Sequence, residues 1–190
     1  MKEIMQMIIV LTLICTICGL ALSGFRNATA DRIEDQVLMN VQGPKVKIVL
    51  EGSDNDLLAD RKKIKLNERE FVIFIGKKKN KPWALAYETL GKGFGGDIKI
   101  MAGYDIANDK LTGIQVINHK ETPGIGSKVT EDQFTKRFKE LDIKLKFETK
   151  NDGGDIDGIT GATYSSRGIC EALRKSIALY PELKRQSVTP

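Results

Sequence analysis

Residues 70–88, EFVIFIGKKKNKPWALAYE, contain the pattern that determines the fold class. Residues 70–76 and 82–88 are rich in β-branched, aromatic and aliphatic side chains, a composition typical of strands. Between them lies a short polar run of lysines around one asparagine, which is typical of a turn. The stretch therefore predicts an antiparallel β-hairpin whose lysine-rich tip lies in solvent.

Further strands and several helices are predicted on both sides of this hairpin. Alternating patterns predict strands at residues 45–50, 97–105, 111–119 and 143–150. Helical spacing, a capping box and a terminal proline predict helices from Ile33 to about residues 43–44, from residues 130–133 to about Leu141, and from about Ser165 to Tyr180, where Pro181 ends the last one. Together these elements predict an α+β fold, an antiparallel sheet with packed helices.

The amino-terminal part of the chain differs in composition from the rest. Residues 7–22 carry no charge, and with Ser23, Gly24 and Phe25 the run reaches the roughly 20 residues that a helix needs to cross a bilayer. We expect a membrane anchor in residues 1–25 and an exported domain in residues 26–190. The alternative is a cleaved signal peptide, because residues 27–30, NATA, fit a small-residue cleavage pattern. Charge asymmetry around the run is slight and favours a cytoplasmic amino terminus only weakly.

Several classes of site are disfavoured by the composition. Cys15 and Cys18 lie inside the apolar run, Cys170 has no disulfide partner in the exported part, and His119 is the only histidine. These residues offer neither a disulfide framework nor a histidine-rich metal site, and a serine-type triad is disfavoured as well. The lysine-rich tip lacks an aromatic platform, so a nucleic-acid partner is not expected.

Three loops share a glycine-rich composition, at residues 91–96, 121–127 and 157–163. Glycine lets backbone amides approach a ligand closely, and the third loop leads into a helix whose first N–H groups favour anions. The residues therefore indicate a site for a phosphate-bearing ligand, with Asp157, Thr160 and Thr163 at its rim. None of the three loops has the spacing of a Walker phosphate-binding loop.

Residues 157–166, DGITGATYSS, resemble the flavinylation motif of the FMN-binding domain family. Residues 119–126, HKETPGIG, resemble the second signature of that family, with Ile125 where leucine is usual. Residues 91–105 are similar to the segment that precedes it. The resemblance covers nearly the whole chain, and within the family the length and single anchor are most similar to the G subunits of Rnf-type electron-transport complexes. A related group is the C subunits of Na⁺-translocating NADH:quinone reductases, which are typically longer.

The resemblance implies a covalent cofactor. Thr163 would be joined to the phosphate of FMN through a phosphoester bond. The surrounding motif would be recognised by a flavin transferase that uses FAD as donor and Mg²⁺, and the residues concerned are Asp157, Thr160, Gly161 and Ala162. The last three would also contact the cofactor. An exposed loop of small residues suits this role, because the active site of another enzyme has to close over it.

The resemblance also implies which residues surround the flavin. The segment that would line the isoalloxazine ring consists of Glu121, Thr122, Pro123, Gly124, Ile125 and Gly126. Lys150 either places a cation near the phosphate or is an ordinary solvated strand end. Tyr104 and Phe94 are candidates for stacking on the ring, although core packing is the expected role of both.

The functional expectation is an electron-carrying subunit rather than a self-contained enzyme. It would belong to a membrane-bound, ion-translocating ferredoxin:NAD⁺ oxidoreductase complex and bind its other membrane subunits, with the flavin domain on the extracytoplasmic side of the plasma membrane. Two alternatives remain open at this point. One is an independent membrane-tethered flavodomain that serves another extracytoplasmic reductase, and the other is a binding module of the same fold without flavin.

Overall fold

The structure is a computed structural model that describes residues 1–66 and 69–188. The chain forms two compact units, Met1–Asn40 and Val41–Pro190. The first unit contains helix α1, Lys2–Val37. Within it, Lys2–Ala30 is long and apolar enough to cross a membrane, and among the residues described no other helix meets that condition. The expected ending of a helix near residues 43–44 is wrong, because α1 is followed by a π-helical turn, Leu38–Gln42, and then by α2.

The second unit is built on a five-stranded antiparallel sheet in the order β1-β2-β3-β4-β5. Every strand pairs with the next one along the chain, so the sheet is a meander. The strands are β1 Lys62–Leu66, β2 Arg69–Lys78, β3 Lys81–Lys92, β4 Asp97–Asp105 and β5 Lys110–Asn118. The predicted fold class and hairpin are confirmed. Sequence reasoning missed β1, because its two apolar residues, Ile64 and Leu66, make too short an alternation to stand out.

Helix α4, Thr163–Val188, packs across one face of this sheet. The core between them includes Tyr87, Tyr104, Leu173 and Tyr180. The hydroxyl group of Tyr104 donates to Ser176 Oγ at 2.6 Å, and that of Tyr87 donates to the Ser176 carbonyl at 2.8 Å. Aromatic stacking and buried hydrogen bonds therefore fix α4 to the middle of the sheet.

The predicted end of the last helix at Pro181 is wrong. Proline in a helix interior removes one hydrogen bond and costs about 3 kcal/mol. Tyr180 and Leu183 are buried on either side of it, so the packing of the helix continues past Pro181 and outweighs this cost. Its predicted start at Ser165 is two residues late, since α4 begins at Thr163.

Three other predicted elements are also wrong, at residues 45–50, 130–141 and 143–150. Residues 45–50 form helix α2, Gly43–Val49, because Pro44 suits a first turn and Val46 and Val49 bury one helical face. The predicted helix of residues 130–141 is only α3, Asp132–Thr135, followed by the 3₁₀ turn Lys136–Phe138. The capping box is not formed, since the Thr130 hydroxyl donates to the Ser127 carbonyl instead.

Residues 143–150 do not form the predicted strand. Phe147 and Thr149 are buried as an alternating pattern requires, but the backbone forms turns and one isolated bridge, between Thr149 and Ile156, instead of a ladder. The Lys146 N–H donates to the Asp155 carboxylate at 2.7 Å, and the Asp155 N–H donates back to the Lys146 carbonyl at 3.0 Å. Local partners therefore take the hydrogen bonds that a neighbouring strand would have used.

Candidate functional site

The loop before α4 is shaped by a tight turn and by one buried serine. The Ala162 N–H donates to the Ile159 carbonyl at 3.0 Å, and Gly161 has a φ of +81° within this turn, which favours glycine. The Ser166 hydroxyl accepts a hydrogen bond from the Ile159 N–H at 2.9 Å and donates to the Ala162 carbonyl at 3.0 Å. Ser166 is fully buried, so the first turn of α4 holds the loop from inside.

The hydroxyl groups of this loop fall into two sets. Ser165 and Ser166 are buried and make hydrogen bonds within the protein. Thr160 is exposed and Thr163 is half-buried, and neither hydroxyl has a hydrogen-bond partner among the residues that the structure describes. Thr163 is also the first residue of α4, where backbone N–H groups lack helical partners and favour a negative charge.

The side chain of Glu121, in the second glycine-rich loop, contacts the first glycine-rich loop and the first turn of α4, which follows the third loop. This side chain is 5% exposed, and its Oε1 accepts a hydrogen bond from the Gly95 N–H at 2.9 Å. Its Oε2 accepts one from the Phe94 N–H at 3.3 Å and another from the Ser165 hydroxyl. The loops that the sequence marked separately are therefore brought together around one carboxylate.

The segment expected to line a flavin ring is divided between surface and interior. Glu121 and Gly126 are buried, and the exposed residues are Thr122, Pro123, Gly124 and Ile125. The Ser127 N–H donates to the Thr122 carbonyl at 3.2 Å, and the Gly124 N–H donates to Ser127 Oγ at 2.9 Å, which closes the segment into a compact turn. Its outer residues are available to a ligand, whereas the Glu121 side chain is directed to protein donors.

Charged side chains flank the loop in two ion pairs. Lys150 Nζ lies 2.8 Å from Asp157 Oδ1, and both side chains are mostly exposed. The predicted cation is thus near the motif, on a short 3₁₀ turn, Lys150–Asp152, instead of a strand end. Arg167 binds Asp152 through two nitrogens, and this hydrogen bonding, together with the hydroxyl of Thr149, lowers the pKa of Asp152 to about 2.

Exposed aromatic side chains also border the loop. Phe94 is 74% exposed and Tyr164 is 60% exposed, and their ring centroids lie 6.0 Å apart. The expectation of core packing for Phe94 is therefore wrong. Tyr104 has no exposed surface and stacks on Tyr180 with a centroid distance of 4.6 Å, so its role is core packing, as expected, and it cannot contact a surface ligand.

Sequence reasoning missed several residues that shape this region. Ser165, Ser166 and Arg167 lie within or next to the motif, but nothing in their spacing showed that the serines are buried or that Arg167 pairs with Asp152. The junction role of Glu121 was missed as well. Its partners lie 26 to 44 positions away in the chain, so no local pattern could reveal them.

A separate groove of about 840 Å³ lies where α2, β5 and α3 meet. Its lining includes Ile48, Trp83, Leu111 and Lys136, and none of the predicted site residues. Around Thr163, the residues Thr160, Gly161 and Tyr164 are exposed, which is compatible with access by another protein.

Comparison with known proteins identifies similar chains. A family model described as the FMN-binding domain matches residues 93–178. The G subunit of the ion-translocating oxidoreductase complex of Shewanella amazonensis is 29% identical over 189 residues, which cover 93% of this chain and 87% of the relative. The G subunit of the Na⁺-translocating ferredoxin:NAD⁺ oxidoreductase complex of Acetobacterium woodii is 30% identical over 184 residues, 88% of this chain and 86% of the relative.

A solved structure shares the fold. The C subunit of the Na⁺-translocating NADH-quinone reductase of Parabacteroides distasonis matches with a TM-score of 0.50 and 22% identity. The match covers 62% of this chain and 64% of that structure, slightly less than two thirds of its length. At this identity the likeness concerns the fold alone.

Proposed function

The chain belongs to the FMN-binding domain family, and on this premise we propose that it carries FMN on Thr163 and transfers electrons in a membrane-bound complex. The complex is an ion-translocating ferredoxin:NAD⁺ oxidoreductase of the Rnf type. The two similar G subunits, aligned over most of their length, support this assignment.

The free hydroxyl group of Thr163 carries the proposal. Of the threonine and serine hydroxyls in residues 157–166, those of Ser165 and Ser166 are buried and hydrogen-bonded, which leaves Thr160 and Thr163. Thr163 alone of these two starts a helix, where the amide N–H groups favour a phosphate. The residues present therefore fit a phosphoester better at Thr163 than at any neighbouring hydroxyl.

Attachment requires a second enzyme, because no described side chain next to Thr163 is placed to activate its hydroxyl. In the proposed reaction, Thr163 Oγ1 forms a bond to the FMN phosphorus of FAD, the pyrophosphate bond breaks and AMP leaves. The flavin transferase and its Mg²⁺ supply the base and the charge stabilisation. Asp157, Thr160, Gly161 and Ala162 form the part of the loop that the transferase recognises.

The remaining residues of the site bind and orient the cofactor. FMN supplies the capacity to accept and release one or two electrons. Thr122, Pro123, Gly124 and Ile125 present an exposed turn to the flavin ring. Pro123 has no N–H, and the Gly124 and Ile125 N–H groups donate within the turn. The Thr122 N–H is therefore the donor of this turn that can stabilise negative charge on the reduced ring. Lys150 and Arg167 provide positive charge near the phosphate, although each is paired with a carboxylate.

Membrane attachment is part of the same proposal. The apolar helix Lys2–Ala30 anchors the chain, the flavin domain lies on the extracytoplasmic side, and the other membrane subunits of the complex are its partners. A covalent bond suits this location, since a dissociable cofactor released outside the cytoplasm would be lost.

The experiment that tests the proposal is co-expression of the full chain with a flavin transferase. Wild-type protein should show in-gel flavin fluorescence after denaturation, and the peptide containing Tyr164 should carry the added mass of FMN. Thr163→Val should abolish both signals, because the variant retains shape but lacks the hydroxyl. Thr112→Val, in the separate groove and with a hydroxyl that has no hydrogen-bond partner among the described residues, is the matched control and should retain the covalent flavin.

Two outcomes would contradict the proposal. One is a wild-type Tyr164 peptide, isolated from cells that contain the transferase, with only its amino-acid mass. The other is full fluorescence of Thr163→Val.

A further inference from the structure

We propose that Glu121 is a positioning residue that joins the first two glycine-rich loops to the first turn of α4, where Thr163 is presented and the attached flavin is held. The contacts of Glu121 support the junction itself, whereas its effect on the flavin rests on the proposed function. It also changes the expected role of Glu121, which acts through the loops instead of touching the flavin ring.

The contacts of Glu121 connect segments that are far apart in the chain. The Phe94 and Gly95 N–H groups belong to the turn between β3 and β4, and Ser165 lies two residues after Thr163 in the first turn of α4. The Glu121 N–H in turn donates to Nδ1 of His119 at 3.1 Å, which orients the backbone of Glu121 itself. One side chain thus sets the relative position of the β3–β4 turn, the ring-lining segment and the flavinylation loop.

The glycines around Glu121 make room for its carboxylate. A Cβ atom on Gly93 would collide with Glu121 Oε1, and one on Gly126 would lie 2.7 Å from Glu121 Oε2. Both separations are shorter than van der Waals contact. One glycine in each of the two loops is therefore explained by the space that this carboxylate occupies.

A carboxylate suits this position better than an amide of the same shape. Glu121 accepts hydrogen bonds on both oxygens, all from protein donors. Glutamine has one acceptor oxygen and one NH₂ group. In Glu121→Gln, the NH₂ group would therefore face the N–H of Phe94 or of Gly95, and two donors cannot form a hydrogen bond. Hydrogen bonds to a charged group are stronger than neutral ones, and an unsatisfied buried donor is unfavourable. Glu121→Gln therefore removes at least one backbone hydrogen bond of the junction with little change in volume, although the Ser165 hydroxyl can accept from the new NH₂ group.

The first measurement needs no flavin. Amide hydrogen exchange is followed by mass spectrometry in the full-length, flavin-free chain, for wild type, Glu121→Gln and the exposed control Glu131→Gln. The Phe94 and Gly95 amides and the segment around Thr163 should exchange at least about tenfold faster in Glu121→Gln. Glu131→Gln should match wild type. Unchanged protection in Glu121→Gln would overturn the inference.

The second measurement uses protein co-expressed with the flavin transferase. Glu121→Gln should acquire flavin several-fold more slowly, and the flavin that is attached should show lower fluorescence anisotropy than in wild type. A general loss of stability would not change the anisotropy of attached flavin in folded protein, so this signal reports positioning. Equal loading and equal anisotropy in both proteins would overturn the inference, even if hydrogen exchange differed.

Ser165→Ala provides an independent variant, since it removes the hydrogen bond between Ser165 and Glu121 and keeps the Glu121 carboxylate. It should shift loading and anisotropy in the same direction as Glu121→Gln, and the double variant should show less than the sum of the two effects. If Glu121→Gln does not fold, the Ser165→Ala results decide the matter. A wild-type protein that takes up no flavin would refute the proposed function, whereas the exchange measurement would still confirm or refute the junction.

Discussion

The first turn of α4 and the middle of the same helix are both buried on one side, yet different interactions hold them. In the middle, Leu173, Ser176 and Tyr180 pack on the aromatic core of the sheet. In the first turn, Ser165 and Ser166 bind a carboxylate and backbone groups of neighbouring loops. Apolar packing on the sheet therefore holds the middle of the helix, whereas polar contacts of the first turn fix the loop in which the covalent attachment is proposed.

The largest effect is expected in the middle of the helix. Leu173→Ala removes a fully buried side chain and should lower the free energy of unfolding by about 2–5 kcal/mol, because a cavity remains in the core. Denaturant unfolding measures this loss. The exposed Ile125→Ala is the control and should change the free energy of unfolding by no more than about 0.5 kcal/mol. A similar loss for both variants would mean that the apolar packing of Leu173 does not account for the stability of the middle of the helix.

An intermediate effect is expected in the first turn. Ser166→Ala leaves the Ile159 N–H without its partner and should cost about 1–3 kcal/mol, mainly as local opening of the loop. Hydrogen exchange at Ile159 should accelerate while the middle of α4 stays protected. Thr160→Ala, at an exposed position of the same loop, is the matched control. Faster exchange throughout α4 would show that the two regions open together.

The smallest effect is expected at the surface pair of Asp152 and Arg167. Hydrogen bonding by Arg167 lowers the pKa of Asp152 to about 2, below its value of about 3.9 in an unfolded chain. The pair therefore contributes stability above pH 4, and that contribution is lost as the pH falls from about 4 to about 2. Asp152→Asn should flatten this part of the profile of unfolding free energy against pH. Identical profiles for variant and wild type would show that the pair contributes nothing.

Prediction from sequence succeeded where the signal was local and repeated. The alternating strands around residues 79–80 and the turn chemistry between them predicted the hairpin, and the structure places Lys79 and Asn80 at positive φ in that turn. Residues 157–163 were also recognised as a loop before a helix. Prediction from sequence failed at residues 45–50 and 143–150, where the alternation of charged and apolar residues resembled a strand.

The two failures have different reasons. In residues 45–50, Val46, Ile48 and Leu50 alternate as in a strand, but Val46 and Val49 also have the three-residue spacing that places both on one face of a helix, and the structure buries that face. In residues 143–150, side-chain burial does alternate in part, but Asp155 and the following turn supply local hydrogen-bond partners. The identity of a backbone partner is a tertiary fact that periodicity does not contain.

The sequence by itself determined the apolar amino-terminal run, the antiparallel sheet and the motif around Thr163, because apolar period, turn residues and short motifs are properties of neighbouring positions. Only the tertiary structure decided which hydroxyl groups are buried, that α4 continues past Pro181, and that Glu121 joins two loops to the first turn of α4. Each of these depends on contacts between distant segments. Burying a carboxylate is favourable only when folding brings donors to it, and those donors lie 26, 27 and 44 positions away along the chain.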